Sequence, residues 1–173
     1  MTAGSDLSPQ RAEVVSTVRQ VLEESELEWE HGARGEEELV VTLPGEKKLR
    51  TVTSLVVGEQ ALSVSAFVIR NADENHAEVY RYLLRRNLRM PWLAYAIDAS
   101  GDVYVTGRIP LGAVTAELVD QLFGVVLDAA DAPFNELLLL GFRSSMQKEW
   151  DWRVKNGESL RNLEAFRSVL EHD

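Results

Sequence analysis

Arg81, Arg85 and Arg89 recur at every fourth position, with Arg86 beside them. On a helix that spacing lines one face with guanidiniums, planar cations that bind carboxylates and phosphates through paired hydrogen bonds. The chemistry on offer is recognition of an anionic or phosphorylated partner. A solvated face favoured by a helix C-terminus is the plainer reading and is preferred. Trp150 and Trp152 straddle Asp151, so a helix cannot bury both. Trp150 is assigned to the core. Trp152 fits a groove or a subunit contact as well as it fits the core, because tryptophan is enriched at interfaces.

Catalytic patterns are scarce. The three histidines, His31, His76 and His172, show no metal-ligand spacing and read as surface residues. His172, beside the C-terminus, is expected to be mobile. There is no cysteine, which removes thiolate catalysis, disulfides and thiolate metal sites. No Gly-x-Ser-x-Gly elbow, phosphate-cradling Gly-rich loop or dinucleotide fingerprint occurs. Asp98-Ala99-Ser100-Gly101-Asp102 has the look of a partial calcium loop, but it lacks the other ligand positions and reads as a turn. Asp128 and Asp131 read as a helix end and a cap. The expectation is a protein that is not an enzyme, with no cofactor and no metal.

The elements that position these residues follow from periodicity. Ser8-Pro9 starts a helix near 9–25, with Val14, Val15, Val18, Val21 and Leu22 as its stripe. Leu27 to Glu30 is a short strand anchored by Trp29, and residues 31–35 are a turn. Strands follow over 38–43, 49–57 and 61–69. The last two pair antiparallel through Gly58-Glu59-Gln60, and apolar residues on both faces leave the buried face open. A second helix starts from caps at Asn71 to Asp73, carries Val79, Tyr80, Leu83, Leu84 and Leu88, and ends by Pro91. Strands over 92–98 and 102–109 form a hairpin across Ala99-Ser100-Gly101. A third helix after Thr115 holds Leu118, Leu122, Val125 and Val126, with Gly124 weakening it unless it allows close packing. A fourth helix carries Leu139, Phe142, Met146, Trp150 and Val154 and stops at Asn156-Gly157. Leu160, Leu163, Phe166 and Leu170 mark a fifth.

The 173 residues are 45% hydrophobic and 27% charged, enough for one core, and the formal charge is −10. Residues 1–46 hold eleven acids against three arginines, so the acidity is largely N-terminal. This charge argues against general binding of nucleic acid by phosphate neutralisation. No apolar run reaches the length of a membrane span, and no leader pattern precedes Pro9. With no cysteine, these features predict a cytoplasmic protein that engages neither membrane nor nucleic acid.

The stretch Tyr80 to Leu127 resembles the YbjN family of small bacterial proteins. The likeness rests on Leu83-Leu84-Arg85-Arg86-Asn87-Leu88, Ala94-Tyr95-Ala96-Ile97-Asp98, Gly101-Asp102-Val103-Tyr104-Val105, Ile109-Pro110-Leu111 and Glu117-Leu118. With the upstream element order it covers most of 9–131. The resemblance implies an α+β fold of the type III secretion chaperone-like kind: an antiparallel sheet with packed helices, in helix-strands-helix-hairpin-helix order. Two C-terminal helices extend beyond it, so residues 1–131 form the YbjN-like domain and 132–173 its helical extension. It also implies an acidic homodimer without enzymatic activity, and a role in sensory-transduction regulation with no catalytic residue to carry over.

The leading expectation is a non-enzymatic protein-interaction module, a chaperone-like or regulatory adaptor working as a homodimer with a protein client or regulator. Candidate partner-binding residues are Arg81, Arg85, Arg89 and Trp152. Candidate dimer contacts are Leu118, Leu122 and Val125, or Phe142 and Met146. The alternative is a small-ligand-binding sensory domain with a pocket lined by Trp29, Trp92 and Tyr95. An enzyme using carboxylates alone ranks last, since nothing in the chain selects a pair.

Overall fold

The structure is a computed structural model that describes residues 7–171. Helix α1 (Pro9–Glu24) begins where Ser8 Oγ accepts the Arg11 amide at 3.4 Å, with proline at the first position. Four strands follow: β1 (Glu28–Gly32), β2 (Gly35–Pro44), β3 (Arg50–Val57) and β4 (Ala61–Ile69). Helix α2 (His76–Asn87) leads to β5 (Ala94–Ile97) and β6 (Val103–Pro110). Helices α3 (Ala116–Ala130) and α4 (Phe134–Asn156) come next, and a 3₁₀ stretch (Arg161–Phe166) runs into the single turn α5 (Arg167–Leu170). The fold is α+β, with one six-stranded antiparallel sheet in the order β1-β2-β3-β4-β6-β5.

Register decides which sheet face is buried. Val41 pairs with Thr53, Thr53 with Ala66, Ala66 with Val105 and Val105 with Tyr95, and all five are buried. Leu39, Leu55 and Val64 form the next row. Side chains alternate along a strand, so these rows share one face. Against it lie Val14, Val18, Val21 and Leu22 of α1 and Val119, Leu122, Phe123 and Val126 of α3. The opposite face carries Val52, Ser54, Ser63, Ser65 and Thr106, partly or fully exposed, as a one-sided antiparallel sheet allows.

Several expectations need correction. The turn after β1 is only Ala33-Arg34, because His31 still pairs with Leu39 and Gly35 already pairs with Gly32. Helix α2 does not start at Asn71 to Asp73. The Asp73 and Glu74 amides donate instead to Gly141 O of α4, at 2.9 and 3.1 Å, and Asn75 turns left-handed at φ 54° before the helix begins. It also stops at Asn87, leaving Leu88 and Arg89 in a turn. The fifth helix is mostly 3₁₀. Three candidate dimer contacts, Leu122, Phe142 and Met146, are buried within the chain itself and offer no surface in this fold; Leu118 and Val125 are half-buried.

The C-terminal helices pack on their own chain. Leu137 and Phe142 join the main core, while Met146, Trp150, Leu163, Phe166 and Leu170 form a second cluster. Gly141 permits the close approach: a Cβ there would lie 2.8 Å from Ala72 Cβ. Ser144 Oγ and Ser145 Oγ then donate to Glu74 and Asp73, each at 2.8 Å.

Candidate functional site

Helix α2 separates two surface features. Its core side buries Val79 and Leu83. The side toward α3 carries Arg81 and Arg85, and the following turn brings Arg89 to the same place. These three and Arg86 line a cleft of about 1070 Å³, closed on the far side by Gln121, Gly124, Val125 and Asp128 of α3. The arginine row expected from sequence is therefore assembled, although Arg89 reaches it from a turn rather than from the helix.

The four guanidiniums differ in their commitments. Arg81 pairs with Glu78 one turn back. Arg86 is structural: its Nε donates to Tyr95 Oη at 3.2 Å, and its Nη2 donates to Asp128 O at 2.7 Å. Burial opposes the Arg86 charge, but Tyr95, Tyr82 and Asp128 outweigh it and the pKa rises. Tyr95 Oη in turn donates to Ala129 O at 2.7 Å, so this chain of bonds fixes α2, β5 and α3 together. Burial holds the Tyr95 hydroxyl above its ordinary pKa. Burial, aided by a bond to Glu136, pushes Tyr82 up to about 12. Both phenols thus stay neutral donors. Arg85 and Arg89 have no ion-pair partner among the described residues.

Trp92 forms the rim. The Leu93 amide donates to Pro91 O at 2.7 Å across it, and its φ is +60°. That is a γ-turn of the left-handed kind, a strained conformation costing roughly 1–3 kcal/mol for a bulky residue. Gly107 of β6 makes room beneath: a Cβ there would stand 2.4 Å from Trp92 O. The strain leaves the Trp92 side of the loop half exposed beside the arginines. Gly124 is a second local cost. It sits inside α3, where glycine weakens a helix, yet a Cβ there would meet no atom within 4 Å. Its absence of a side chain serves no packing contact and leaves the cleft wall open.

On the other side of α2, Tyr80, Leu83, Leu84, Tyr95, Ala96 and Ile97 enclose an apolar groove of about 270 Å³. It lies along β5, an outer strand of the sheet with no charged residue. The opposite outer strand, β1, carries Glu28 and Glu30.

Other sequence candidates are dispersed. Trp152 is half exposed on α4, outside the cleft, while Trp150 is buried with Arg167 stacked 5.9 Å from its ring. The aromatic pocket of Trp29, Trp92 and Tyr95 does not form. Trp29 is on β1, at the opposite edge of the sheet from β5, and packs edge-on against His31. His31 Nδ1 lies 3.2 Å from Gly35 O and His76 Nε2 3.2 Å from Asn71 Oδ1; His172 is outside the described residues. Asp98 Oδ1 accepts the Ser100 and Asp102 amides at 2.9 and 3.0 Å, so that segment is a turn. Among the described residues no three acidic or histidine side chains gather as a cation site, and no helix is long and apolar enough to cross a membrane.

Sequence reading placed Asp131 only as a cap and missed the loop it holds. It is buried and accepts the amides of Glu46, Lys47 and Lys48 at 3.1, 3.0 and 2.7 Å, clasping the β2–β3 loop to the end of α3. It also missed Arg11, which is buried and donates to Val57 O and Glu59, with Glu37 at 2.9 Å. No local signal marks either, since their partners are distant in sequence.

A family model described as "Putative bacterial sensory transduction regulator", YbjN, matches residues 15–139. An uncharacterized protein of Mycobacterium tuberculosis is 49% identical over 156 residues, which are 88% of this chain and 85% of that protein. Among solved structures, the ExsC-ExsE complex aligns with a TM-score of 0.54 at 17% identity, covering 73% of this chain and 95% of that one. The HopA1-SchA chaperone-effector complex aligns at 0.52 and 10% identity, covering 70% and 93%. At these identities the two structures show a shared fold.

Proposed function

The chain belongs to the YbjN family, and from that premise we propose a non-enzymatic protein-interaction module, a chaperone-like or regulatory adaptor. In this reading the α2–β5 side joins a second copy, and the arginine cleft grips an acidic segment of a partner protein. Residues 132–173 extend the 1–131 body as part of the same domain.

One observation carries the reading. Among the described residues nine large apolar side chains are exposed, and four of them fall in 84–97: Leu84, Leu88, Trp92 and Ile97, at 64, 87, 47 and 52% exposure. Such a concentration marks an interaction surface. The β5 flank carries no charged residue, unlike β1, and Asn87 Oδ1 already accepts its Tyr95 amide at 2.8 Å, so it offers apolar side-chain contact rather than a free strand edge. The cleft is positive in a chain of net charge −10, which favours an acidic partner. The chaperone–effector pairing in the HopA1-SchA structure supports a protein as that partner. Trp152 is a second exposed aromatic available to the same partner outside the cleft.

Light scattering at micromolar concentration tests the assembly. The wild type is expected at twice the chain mass, and Leu84→Glu with Ile97→Glu at the chain mass with unchanged circular dichroism. A monomeric wild type overturns the dimer. Fluorescence anisotropy with a labelled peptide of alternating glutamate and leucine tests the cleft. Arg85→Glu with Arg89→Glu is expected to weaken capture more than tenfold, and equal capture overturns that assignment.

A further inference from the structure

A second cavity, of about 500 Å³, lies under the C-terminal helices at the seam between the two apolar clusters. Its volume is within the roughly 300–1,000 Å³ typical of small-molecule sites. Four phenylalanines line it: Phe67 from β4, Phe134 and Phe142 from α4, and Phe166 from the 3₁₀ stretch, together with Leu138 and Met146. The walls therefore call for an apolar or aryl body.

One cation is built into this apolar lining. Lys48 Nζ donates to Phe67 O at 2.7 Å and to Val68 O at 2.9 Å. It lies 5.0 Å from the Phe67 ring centroid and 5.9 Å from that of Phe134. An ammonium has three N–H donors, so one is uncommitted. Among the described residues no carboxylate is within ion-pair distance of Lys48. Its backbone is fixed independently, by the amide bond to Asp131. Burial lowers the Lys48 pKa to about 8, with the Asp131 carboxylate pulling the other way but not making an ion pair. The other nearby cation, Arg70, stacks 4.3 Å from the Phe142 ring, but Asp73 already holds it with bonds of 2.7 and 2.9 Å. Glu149, at the rim, is held by Arg153 at 2.6 Å.

The geometry points to a binding site for a small amphiphilic monoanion, an apolar body of medium-chain length ending in a carboxylate, with Lys48 holding the head group. The phenylalanines supply the apolar contact for the body, and the free donor of half-buried Lys48 is left for the head group. The ligand touches β4 and the 161–166 segment at once, so its binding fastens the C-terminal extension to the sheet. This site is separate from the arginine cleft and does not depend on dimer formation.

Isothermal titration calorimetry on the full chain tests it, using sodium decanoate and, as the uncharged counterpart, 1-decanol. Decanoate is expected to bind saturably, at least tenfold tighter than decanol, and to raise the melting temperature. Lys48→Met is expected to remove the preference for decanoate and leave decanol binding in place. Leu138→Trp, which fills the cavity from α4, is expected to abolish both; it serves as the deciding variant if Lys48→Met does not fold. No saturable binding by the wild type, or decanoate binding undiminished in the folded variants, overturns the proposal.

Discussion

Asp131 shows how much one side chain holds. Its carboxylate accepts three amides of the β2–β3 loop, and its removal leaves those donors without their partner in a partly buried place. Asp131→Ala is expected to cost about 1–3 kcal/mol in urea unfolding, and Asp131→Asn less, because one acceptor oxygen remains. Burial pushes this carboxyl's pKa up, but the three amide bonds and Lys47 outweigh it and hold it below the usual value. A group whose folded pKa is depressed stabilises the fold above its unfolded pKa of about 3.9. That contribution is lost as the pH falls through the lower folded value, so stability measured by urea midpoint drops below about pH 4. Thr53 presents the opposite case. Its hydroxyl is buried in the middle of the sheet with no hydrogen-bond partner. Thr53→Val keeps the shape and removes the unsatisfied oxygen, and is expected to raise stability by about 1 kcal/mol. Asp131 was legible in sequence only as a cap, because its three partners lie more than 80 positions earlier.

At the scale of elements, α4 decides how the middle of the chain is held. Gly141 lets it approach residues 72–79, and its carbonyl takes the amides that would otherwise have opened α2 earlier. Gly141→Val is expected to cost about 2 kcal/mol or more in chemical unfolding, since the Ala72 and Val79 side chains leave no room. Gly124 behaves differently. Gly124→Ala is expected to stabilise α3 by about 1 kcal/mol, because open space faces the new methyl and the helix gains propensity. A larger Gly124→Leu keeps the fold and obstructs the cleft, which the anisotropy assay reads as weaker peptide capture. Helix starts at Ser8 and Thr115 were legible because a cap is local: both side chains accept an amide three residues on. The start of α2 was not legible, because the competing acceptor, Gly141 O, sits far along the chain on another helix.

For the whole molecule, the two sheet edges and the charge distribution separate the two proposed contacts. The α2–β5 contact buries apolar side chains, whereas the cleft acts through guanidiniums. Raising the salt from about 50 mM to about 0.5 M shortens the screening length severalfold. Peptide capture is expected to weaken sharply over that range while the light-scattering mass stays constant. A dimer that dissociates with salt, or a peptide whose affinity ignores it, contradicts this division.

The sequence alone determined the elements, their order and the family. Periodicity, caps and turn residues are local features, and the YbjN motifs are hairpin and core patterns carried by consecutive residues. It also determined that Arg81 and Arg85 share a helix face. Tertiary structure decided the rest. Both faces of β3 and β4 carry apolar residues, so only the placement of α1 and α3 chose the buried one. Stripes at Leu122 and Phe142 are alike in pattern whether they face a core or a second copy, and packing consumed them. The cleft, the Trp92 turn and the Lys48 cavity each join segments far apart in the chain, where no spacing rule reaches.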